Sequence, residues 1–239
     1  MPRISVCVPV YEMKDGFGER FLIEFFSNLT IQTFKDFDVV VSDQCESDIL
    51  KNVCDMFSKV LDVKYFKNKS NIKNAANNVN NAINNATGEI VKLLYMDDFF
   101  VDVNALYKIS NAFQENDGKW LINGFVHCNM DKSKYFDARI PWYGNKYVNG
   151  DNTTGNPSTY AVRKECLLEM DENLLWIVDG EYFYRSFFYH GDPIIINDIL
   201  VCFREHQDSA FLDPKFRELD TKERQYCIDK FKNIKKISE

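Results

Sequence analysis

The amino-acid sequence predicts an α/β fold in which helices cover both faces of a doubly wound, mostly parallel, mixed sheet. Segments rich in β-branched residues alternate with amphipathic helical segments up to residue 128, which is typical of strands joined by crossover helices. Acidic residues follow several predicted strands, at the edge where open α/β sheets bind ligands. A hydrophobic share of 45% and a charged share of 27% fit a soluble domain of this kind.

The first predicted elements are short and regular. Residues Ile4–Val10 alternate and are rich in β-branched side chains, which predicts a strand that ends near Pro9. Apolar residues on one helical face predict helices over residues 20–33 and 49–61. The other strands of this region are predicted at residues 38–42 and 63–66.

The asparagine-rich segment from Lys69 to Asn85 has a helical pattern despite its low complexity. Its isoleucine, valine and alanine residues recur with a spacing close to 3.6 residues, which predicts an amphipathic helix. We expect its asparagines to face mostly solvent. A turn at Gly88 follows, and then a mostly apolar strand over residues 90–96.

Regular patterns stop between Asn129 and Pro157, where aromatic residues are spaced among Gly, Asn, Asp and Pro. A loop of this length in a compact domain is usually functional or mobile. The remaining predicted elements are a helix at 103–114, strands at 120–128 and 158–162, helices at 164–170 and 179–190, strands at 193–196 and 199–203, and one or two helices from residue 214.

Composition narrows the classes of function. The net charge of −7 provides no basic field for nucleic acid or anionic membranes. No segment approaches the roughly 18 apolar residues that a membrane helix needs, and the N-terminal apolar segment is too short for a signal peptide. The seven cysteines lie far apart without a CxxC pair, which indicates free thiols in a reducing compartment. We therefore expect a cytoplasmic protein without a membrane span or a nucleic-acid partner.

Two adjacent carboxylates, Asp97 and Asp98, follow the strand at residues 90–96. A single acid would be enough to cap the helix that comes next. Paired oxygen donors at the carboxyl edge of a sheet suit Mg²⁺ or Mn²⁺ carrying a diphosphate. The sequence thus predicts a site for a divalent cation at this edge.

A series of motifs in a fixed order resembles the GT-A glycosyltransferases, specifically the large inverting family 2. The series is a strand ending Val-Pro-Val-Tyr, a strand ending Ser-Asp, a helix before Gly-Glu, a strand ending Asp-Asp, Asp-Gly-Glu before an Arg-bearing helix, and Phe-Arg-Glu-His. It covers about residues 3–210. The resemblance implies one catalytic domain over residues 1–210, with a nucleotide-binding half at 1–100 and an acceptor half at 101–210. A helical extension would occupy residues 211–239.

The resemblance also implies a nucleotide site. Pro9 and Tyr11 would cradle the nucleotide, with Tyr11 against a uracil face. Asp43 would accept a hydrogen bond from the base, which suits uracil or thymine because their N3 carries a proton; turn capping is its alternative role. Asn80 takes the Asn position of the family's Arg-Asn pair. Since Val79 takes the Arg position, a cation for the phosphates is missing or is supplied elsewhere.

For the cation site, the resemblance implies that Asp98 binds the metal and that Asp97 contacts the ribose or the metal shell. Tyr95 replaces an earlier acid that is frequent in the family. Arg204 would help to hold the diphosphate or would pair with an acid. His206 would complete the metal or diphosphate site, or would be a capped loop histidine.

Asp179 is the predicted catalytic residue. Transfer with inversion needs a base that takes the proton of the acceptor hydroxyl while C1 is attacked from the far side. The family has a Glu-Asp dyad some six residues before an Arg, and here Val178 replaces the Glu while Asp179 and Arg185 keep the spacing. Glu181 is the second candidate, and either acid would also suit the dipole of a helix N-terminus.

The implied function is metal-assisted transfer of a sugar from a nucleotide-diphosphate sugar, most favourably a UDP-sugar, to a glycan or another hydroxyl acceptor. One alternative is a non-catalytic binding module with a degenerate site. Another is a sugar-nucleotide nucleotidyltransferase, although the Gly-rich loop of that class is a poor match here. A third is a nucleobase acceptor in DNA. The C-terminal helix is expected to pack on the domain or on a second copy in a homodimer.

Overall fold

A single mixed sheet organises the protein, for which a computed structural model describes residues 3–142, 152–207 and 214–232. The strands are β1 (Ile4–Val10), β2 (Phe37–Asp43), β3 (Val63–Lys67), β4 (Ile90–Leu93), β5 (Phe99–Phe100), β6 (Trp120–Asn129), β7 (Tyr135–Arg139), β8 (Tyr160–Arg163) and β9 (Ile194–Glu205). The helices are α1 (Phe17–Thr30), α2 (Ile49–Phe57), α3 (Ala75–Asn84), α4 (Ala105–Glu115), α5 (Val178–His190) and α6 (Pro214–Lys232).

The strand order is β3-β2-β1-β4-β8-β6-β9-β5, and β7 pairs with β6 as a hairpin partner. Strand β1 pairs in parallel with β2 and β4, and β2 pairs in parallel with β3. Strand β8 is antiparallel to both of its neighbours, whereas β6 and β9 are parallel. The predicted α/β class with a mostly parallel, mixed sheet is confirmed, and the antiparallel pairs gather in its second half.

Helices cover both faces of this sheet. One face packs on α1, α2 and α4 through buried side chains such as Phe21, Leu50 and Leu106. The other face packs on α3, α5 and α6, with Tyr182 and Cys227 buried against the strands. Helix α6 therefore packs on the domain, and the predicted homodimer stays a prediction. No helix in the described ranges is long and apolar enough to cross a bilayer.

Several predicted elements differ from those in the structure. The helix predicted over residues 164–170 is wrong: only one turn of 3₁₀ helix forms at Lys164–Cys166, and the chain then extends because the Met170 N–H donates to the Asn80 side chain. The two strands predicted at 193–196 and 199–203 are a single strand, β9, with irregular pairing to β6 near Gly124. The region predicted as irregular contains β7, and its residues 143–151 lie outside the described residues.

The asparagines of helix α3 were expected to face mostly solvent, and two of them are instead buried. Asn78 is 1% exposed and Asn80 is 5% exposed. The Asn78 amide donates to the carbonyl of Val10 (3.0 Å) and accepts from the Ser42 hydroxyl (2.6 Å), so it joins the ends of β1 and β2. The expectation that these asparagines mostly face solvent is therefore wrong for the residues that point at the sheet.

Candidate active site

The carboxyl ends of β1 and β2 form one side of the candidate site. Pro9 is buried and lies opposite Ser42 in the parallel register, while Tyr11 is 39% exposed at the rim. Asp43 ends β2, where one carboxylate oxygen accepts from the Cys45 backbone N–H (2.8 Å). The other accepts from the Tyr65 hydroxyl (2.6 Å), with the Lys67 ammonium 3.4 Å away. Asp43 thus caps its turn. Its side chain is fully buried, so neither carboxylate oxygen of Asp43 is exposed to a ligand in this structure.

Asn80, which was predicted to bind the nucleotide, is occupied within the protein. Its amide nitrogen donates to the Met170 carbonyl (2.9 Å) and to the Glu172 carboxylate (3.0 Å). Its carbonyl oxygen accepts from the Met170 N–H (2.7 Å). These contacts use the whole side chain to hold the segment before α5.

Asp98 lies beneath the surface, with 3% of its area exposed. One oxygen accepts from the Ser158 hydroxyl (2.6 Å) and the Asn156 amide (2.8 Å), and the other lies 3.4 Å from the Arg204 backbone N–H. Burial and the charge of Asp97 raise the pKa of Asp98, and these donors oppose the rise. A carboxylate enclosed in this way anchors the loop and does not face the opening.

The Asn156 and Ser158 donors depend on a glycine. Gly155 has φ +84°, and a Cβ atom there would come within 2.9 Å of the Phe125 ring and 3.0 Å of the Phe203 ring. Only glycine tolerates both the left-handed backbone and this close approach. The Gly-Asn-Pro-Ser turn of residues 155–158 thus binds the Asp98 side chain.

Asp97 is the more exposed acid of the pair, with 24% of its side chain accessible. The ring nitrogen Nε2 of His206 lies 3.0 Å from its carboxylate. A surface cleft of about 480 Å³ opens beside His206, between Phe17 and Met130. Asp97 is thus the more exposed of the two acids, and the predicted division of the metal and ribose roles between Asp98 and Asp97 stays a prediction.

Arg204 was predicted either to hold the diphosphate or to pair with an acid, and in the structure it pairs with an acid. Its guanidinium is buried, donates to the Glu24 carboxylate (2.7 Å) and lies 4.4 Å from the centre of the Phe21 ring. Although burial opposes it, hydrogen bonds from Lys132 and Arg204 lower the pKa of Glu24 to about 2. The side chain of Arg204 therefore braces α1 against β9, while its backbone contacts Asp98.

The sequence analysis missed a buried cation, Lys92, in the middle of β4. Its ammonium donates to the Ser158 carbonyl and to the Asn123 side chain (3.2 Å). Burial lowers the pKa of Lys92 to about 7, and the charge of Asp98 opposes that fall. The sequence signal for this buried cation is a lysine inside an apolar strand. Lysine is almost never fully buried without a partner, so such a position predicts a partner nearby.

Asp179 lies in the first turn of α5 and is partly buried. Within the described residues its carboxylate has neither a hydrogen bond nor an ion pair, and burial raises its pKa to about 7. Burial, and then the charges of Asp179, Asp98 and Asp97, raise the pKa of the Tyr95 phenol. The Tyr95 side chain thus lies near all three carboxylates. Asp97 and Asp98 follow β4, and Asp179 lies at the start of α5.

Glu181, the second candidate for the base, is fully enclosed by cations. Its carboxylate accepts from Arg185 (2.5 and 2.8 Å), and the Lys230 ammonium lies 2.8 Å away. Arg185 also donates to the carbonyl of Glu169 (2.7 Å). Glu181 and Arg185 therefore join α5 to its surroundings and leave Asp179 as the unpaired acid of this turn.

A sequence profile decides the family. The profile described as glycosyl transferase family 2 matches residues 5–171, which is more than half of the chain. The chain belongs to glycosyl transferase family 2. The match includes Asp43, Asp97 and Asp98 and stops before Asp179 and His206.

Relatives within this family are similar over part of the chain. A GalNAc(5)-diNAcBac-PP-undecaprenol beta-1,3-glucosyltransferase of Campylobacter jejuni is 36% identical over 100 residues, covering 41% of this chain and 30% of its own. An uncharacterised glycosyltransferase of Rickettsia conorii is 28% identical over 136 residues, covering 57% of this chain and 21% of its own. The chain thus spans less than a third of the length of either relative.

Two solved structures share the fold. TarS 1-349 of S. aureus in complex with UDP-GlcNAc superposes with a TM-score of 0.69 at 18% identity, covering 91% of this chain and 64% of that chain. The mannosyltransferase PcManGT from Pyrobaculum calidifontis, in complex with GDP-Man and Mn²⁺, gives a TM-score of 0.69 at 13% identity, covering 98% and 66%. These similarities establish the GT-A fold.

Proposed function

We propose that this chain is the catalytic domain of a glycosyltransferase that moves a sugar from a nucleotide-diphosphate sugar to an acceptor hydroxyl with inversion at C1. The observation that carries the proposal is that Asp97, Asp98 and Asp179 all lie near enough to Tyr95 for their charges to add to the rise in its pKa caused by burial. A binding module without catalysis would not need an acid whose pKa is raised to about 7 and that has no partner within the described residues.

Asp179 is the general base of the proposed reaction. It takes the proton of the acceptor hydroxyl while the oxygen of that hydroxyl forms a bond to C1. The bond from C1 to the diphosphate oxygen breaks, and its electron pair leaves with the nucleotide diphosphate. A base with a pKa near the working pH is both largely deprotonated and able to accept a proton in the transition state.

Asp97 and His206 are the residues that would hold a divalent cation. A carboxylate and an imidazole 3.0 Å apart fit this role, and the imidazole lines an open cleft. Among the described residues no group of three or more His, Cys, Asp or Glu side chains could hold a metal ion by itself. Mg²⁺ and Mn²⁺ can bind through one or two protein groups together with substrate phosphates. When bound, the cation stabilises the charge of the leaving diphosphate.

A UDP-sugar is the donor that this site favours. Tyr11 lies at the rim beside the end of β2, and Asp43 would accept the N3–H of uracil there by giving up one of its present contacts, such as the one with the Tyr65 hydroxyl. TarS has been solved with UDP and with UDP-GlcNAc, whereas PcManGT was solved with GDP-Man, so this fold accepts more than one base. The acceptor is proposed to be a glycan or another hydroxyl compound in the cytoplasm.

The test is a thermal-shift screen of UDP, GDP and their sugars, with and without Mn²⁺, followed by assays of UDP release. A ligand that binds the native state raises the melting temperature. We expect UDP-sugars with Mn²⁺ to give the largest rise, and UDP to be released when an acceptor is added. A wild-type protein that neither binds nor turns over any nucleotide sugar would disprove the proposal.

A further inference from the structure

The last helix, α6, supplies a carboxylate to the start of α5. Glu223 is 6% exposed. Its oxygens accept hydrogen bonds from the backbone N–H groups of Leu175 (3.0 Å), Trp176 (2.9 Å) and Ile177 (3.0 Å). Ile177 is the N-cap residue of α5, directly before Val178, and its side chain makes no capping hydrogen bond. Glu223 therefore satisfies donors at a helix start that would otherwise lack partners.

Further contacts connect the two helices on both sides of Asp179. Before it, the Trp176 indole N–H donates to the Asp220 carboxylate (3.0 Å). After it, Lys230 pairs with Glu181 (2.8 Å), and the rings of Phe231 and Tyr184 pack with their centres 4.2 Å apart. Helix α6 thus holds the chain on either side of the proposed base.

Asp179 depends on its backbone for its position. Within the described residues its carboxylate has no hydrogen bond or ion pair, so no polar side chain fixes its direction. Its Cα is placed by the first turn of α5, and the residue that starts this turn, Ile177, is held by Glu223. A base must lie within hydrogen-bonding reach of the proton that it takes, so a small shift of this turn affects the reaction directly.

We propose that Glu223 is a positioning residue, which fixes the first turn of α5 and thereby places the Asp179 carboxylate against the acceptor hydroxyl. This inference rests on the proposed function of Asp179. Both residues lie beyond residue 171, where the family profile ends, so the profile assigns a role to neither. The helical segment after the sheet is then part of the catalytic apparatus.

The experiment compares Glu223→Ala and Glu223→Gln with Glu218→Ala, which changes an exposed acid of the same helix. Melting temperature, affinity for UDP with Mn²⁺, and kcat for UDP-sugar turnover are measured on each folded variant. For Glu223→Ala we expect kcat to fall about 10- to 100-fold, as small misplacements of catalytic groups do, with UDP affinity unchanged. Glu223→Gln should recover part of the loss because its carbonyl oxygen still accepts hydrogen bonds. Glu218→Ala should match the wild type.

A wild-type kcat in folded Glu223→Ala would overturn the inference, as would a loss that follows UDP affinity or the folded fraction. If the wild type itself turns over no nucleotide sugar, the proposed function fails, and what remains of the inference is that Glu223 fixes the first turn of α5. Amide hydrogen exchange over residues 175–181 then decides that part. Faster exchange in Glu223→Ala than in Glu218→Ala supports it, and equal exchange refutes it.

Discussion

Asp98 and Asp179 are two carboxylates of the same site with opposite surroundings. Asp98 is 3% exposed and is surrounded by donors from Ser158, Asn156 and the backbone of Arg204. Burial raises the pKa of both carboxyl groups, that of Asp179 to about 7, yet within the described residues no donor reaches Asp179. A carboxylate enclosed by donors anchors a loop, because moving it would break several hydrogen bonds. A carboxylate without donors is ready to accept a proton.

The largest effect should come from Asp179→Asn. An amide of the same shape cannot accept the acceptor proton, so kcat for sugar transfer should fall about 10²- to 10⁴-fold. The affinity for UDP with Mn²⁺ should stay at the wild-type value, since that part of the site lies at the ends of β1, β2 and β4. Steady-state kinetics together with calorimetric titration of UDP provide both numbers.

The control for that variant is Asp192→Asn, which changes an exposed acid just after α5. It should keep the wild-type kcat. The wild-type enzyme should also lose kcat/KM as the pH falls below about 7, because Asp179 is then protonated. Equal activity of Asp179→Asn and the wild type would show that the unpaired acid is not the base.

The second prediction separates Asp97 from Asp98. Asp97→Asn removes the exposed carboxylate beside His206, so Mn²⁺-dependent binding of UDP should weaken at least tenfold while the melting temperature changes little. Asp98→Asn should instead lower the melting temperature, since an amide cannot accept all the donors around it. Titration of UDP with and without Mn²⁺ measures the first effect, and calorimetry the second. The opposite pattern would support the assignment made from the sequence.

Much of this site could be predicted from the sequence because it follows local rules. The bounds of β1 agree with the prediction, and acids that follow strands reach the same sheet edge in any parallel sheet. The difference in exposure between Asp97 and Asp98 could not be predicted, since adjacency along the chain does not tell which of two side chains points outward. That direction is set by Gly155 and Ser158, some sixty residues away.

The inward asparagines of α3 could not be predicted for a similar reason. Periodicity identifies the apolar face of a helix, but it does not show that a carbonyl at a neighbouring strand end can accept a further hydrogen bond. Asn78 meets such a carbonyl at Val10, and Ser42 completes the contact. Without knowledge of the neighbouring elements, a sequence pattern predicts that polar residues beside an apolar helix face point to solvent.

The third prediction concerns that contact and has no catalytic part. Asn78→Ala leaves the Val10 carbonyl and the Ser42 hydroxyl short of a partner in a buried place, which should lower the free energy of unfolding by about 1–3 kcal/mol. The matched control is Asn84→Ala. The Asn84 amide donates to Glu169 at the surface (2.7 Å), so this substitution should lower the free energy of unfolding by less than about 0.5 kcal/mol. Urea denaturation measures both. Equal losses would mean that the buried amide is not holding the strand ends.

The smallest predicted effect is an increase in the free energy of unfolding when Asp179 is replaced by asparagine. The pKa of Asp179 is raised from 3.8 to about 7, so the folded protein holds this proton more tightly than the unfolded chain does. The stability contributed by Asp179 is therefore complete below pH 3.8 and is lost as the pH rises to about 7. Asparagine does not ionise, so Asp179→Asn should be more stable than the wild type at pH 8, by about 1–2 kcal/mol for a partly exposed group.

That gain should shrink at pH 5, where the wild-type carboxyl is largely protonated, and urea denaturation at both pH values measures it. Asp98→Asn is the contrast, since it removes an anchored acid and should destabilise at pH 8. A stabilised Asp179→Asn next to a destabilised Asp98→Asn would show that one carboxylate is kept for the reaction at the expense of stability and the other for the fold. Destabilisation by both variants at pH 8 would mean that Asp179 is held by contacts as Asp98 is, and the difference between them would disappear.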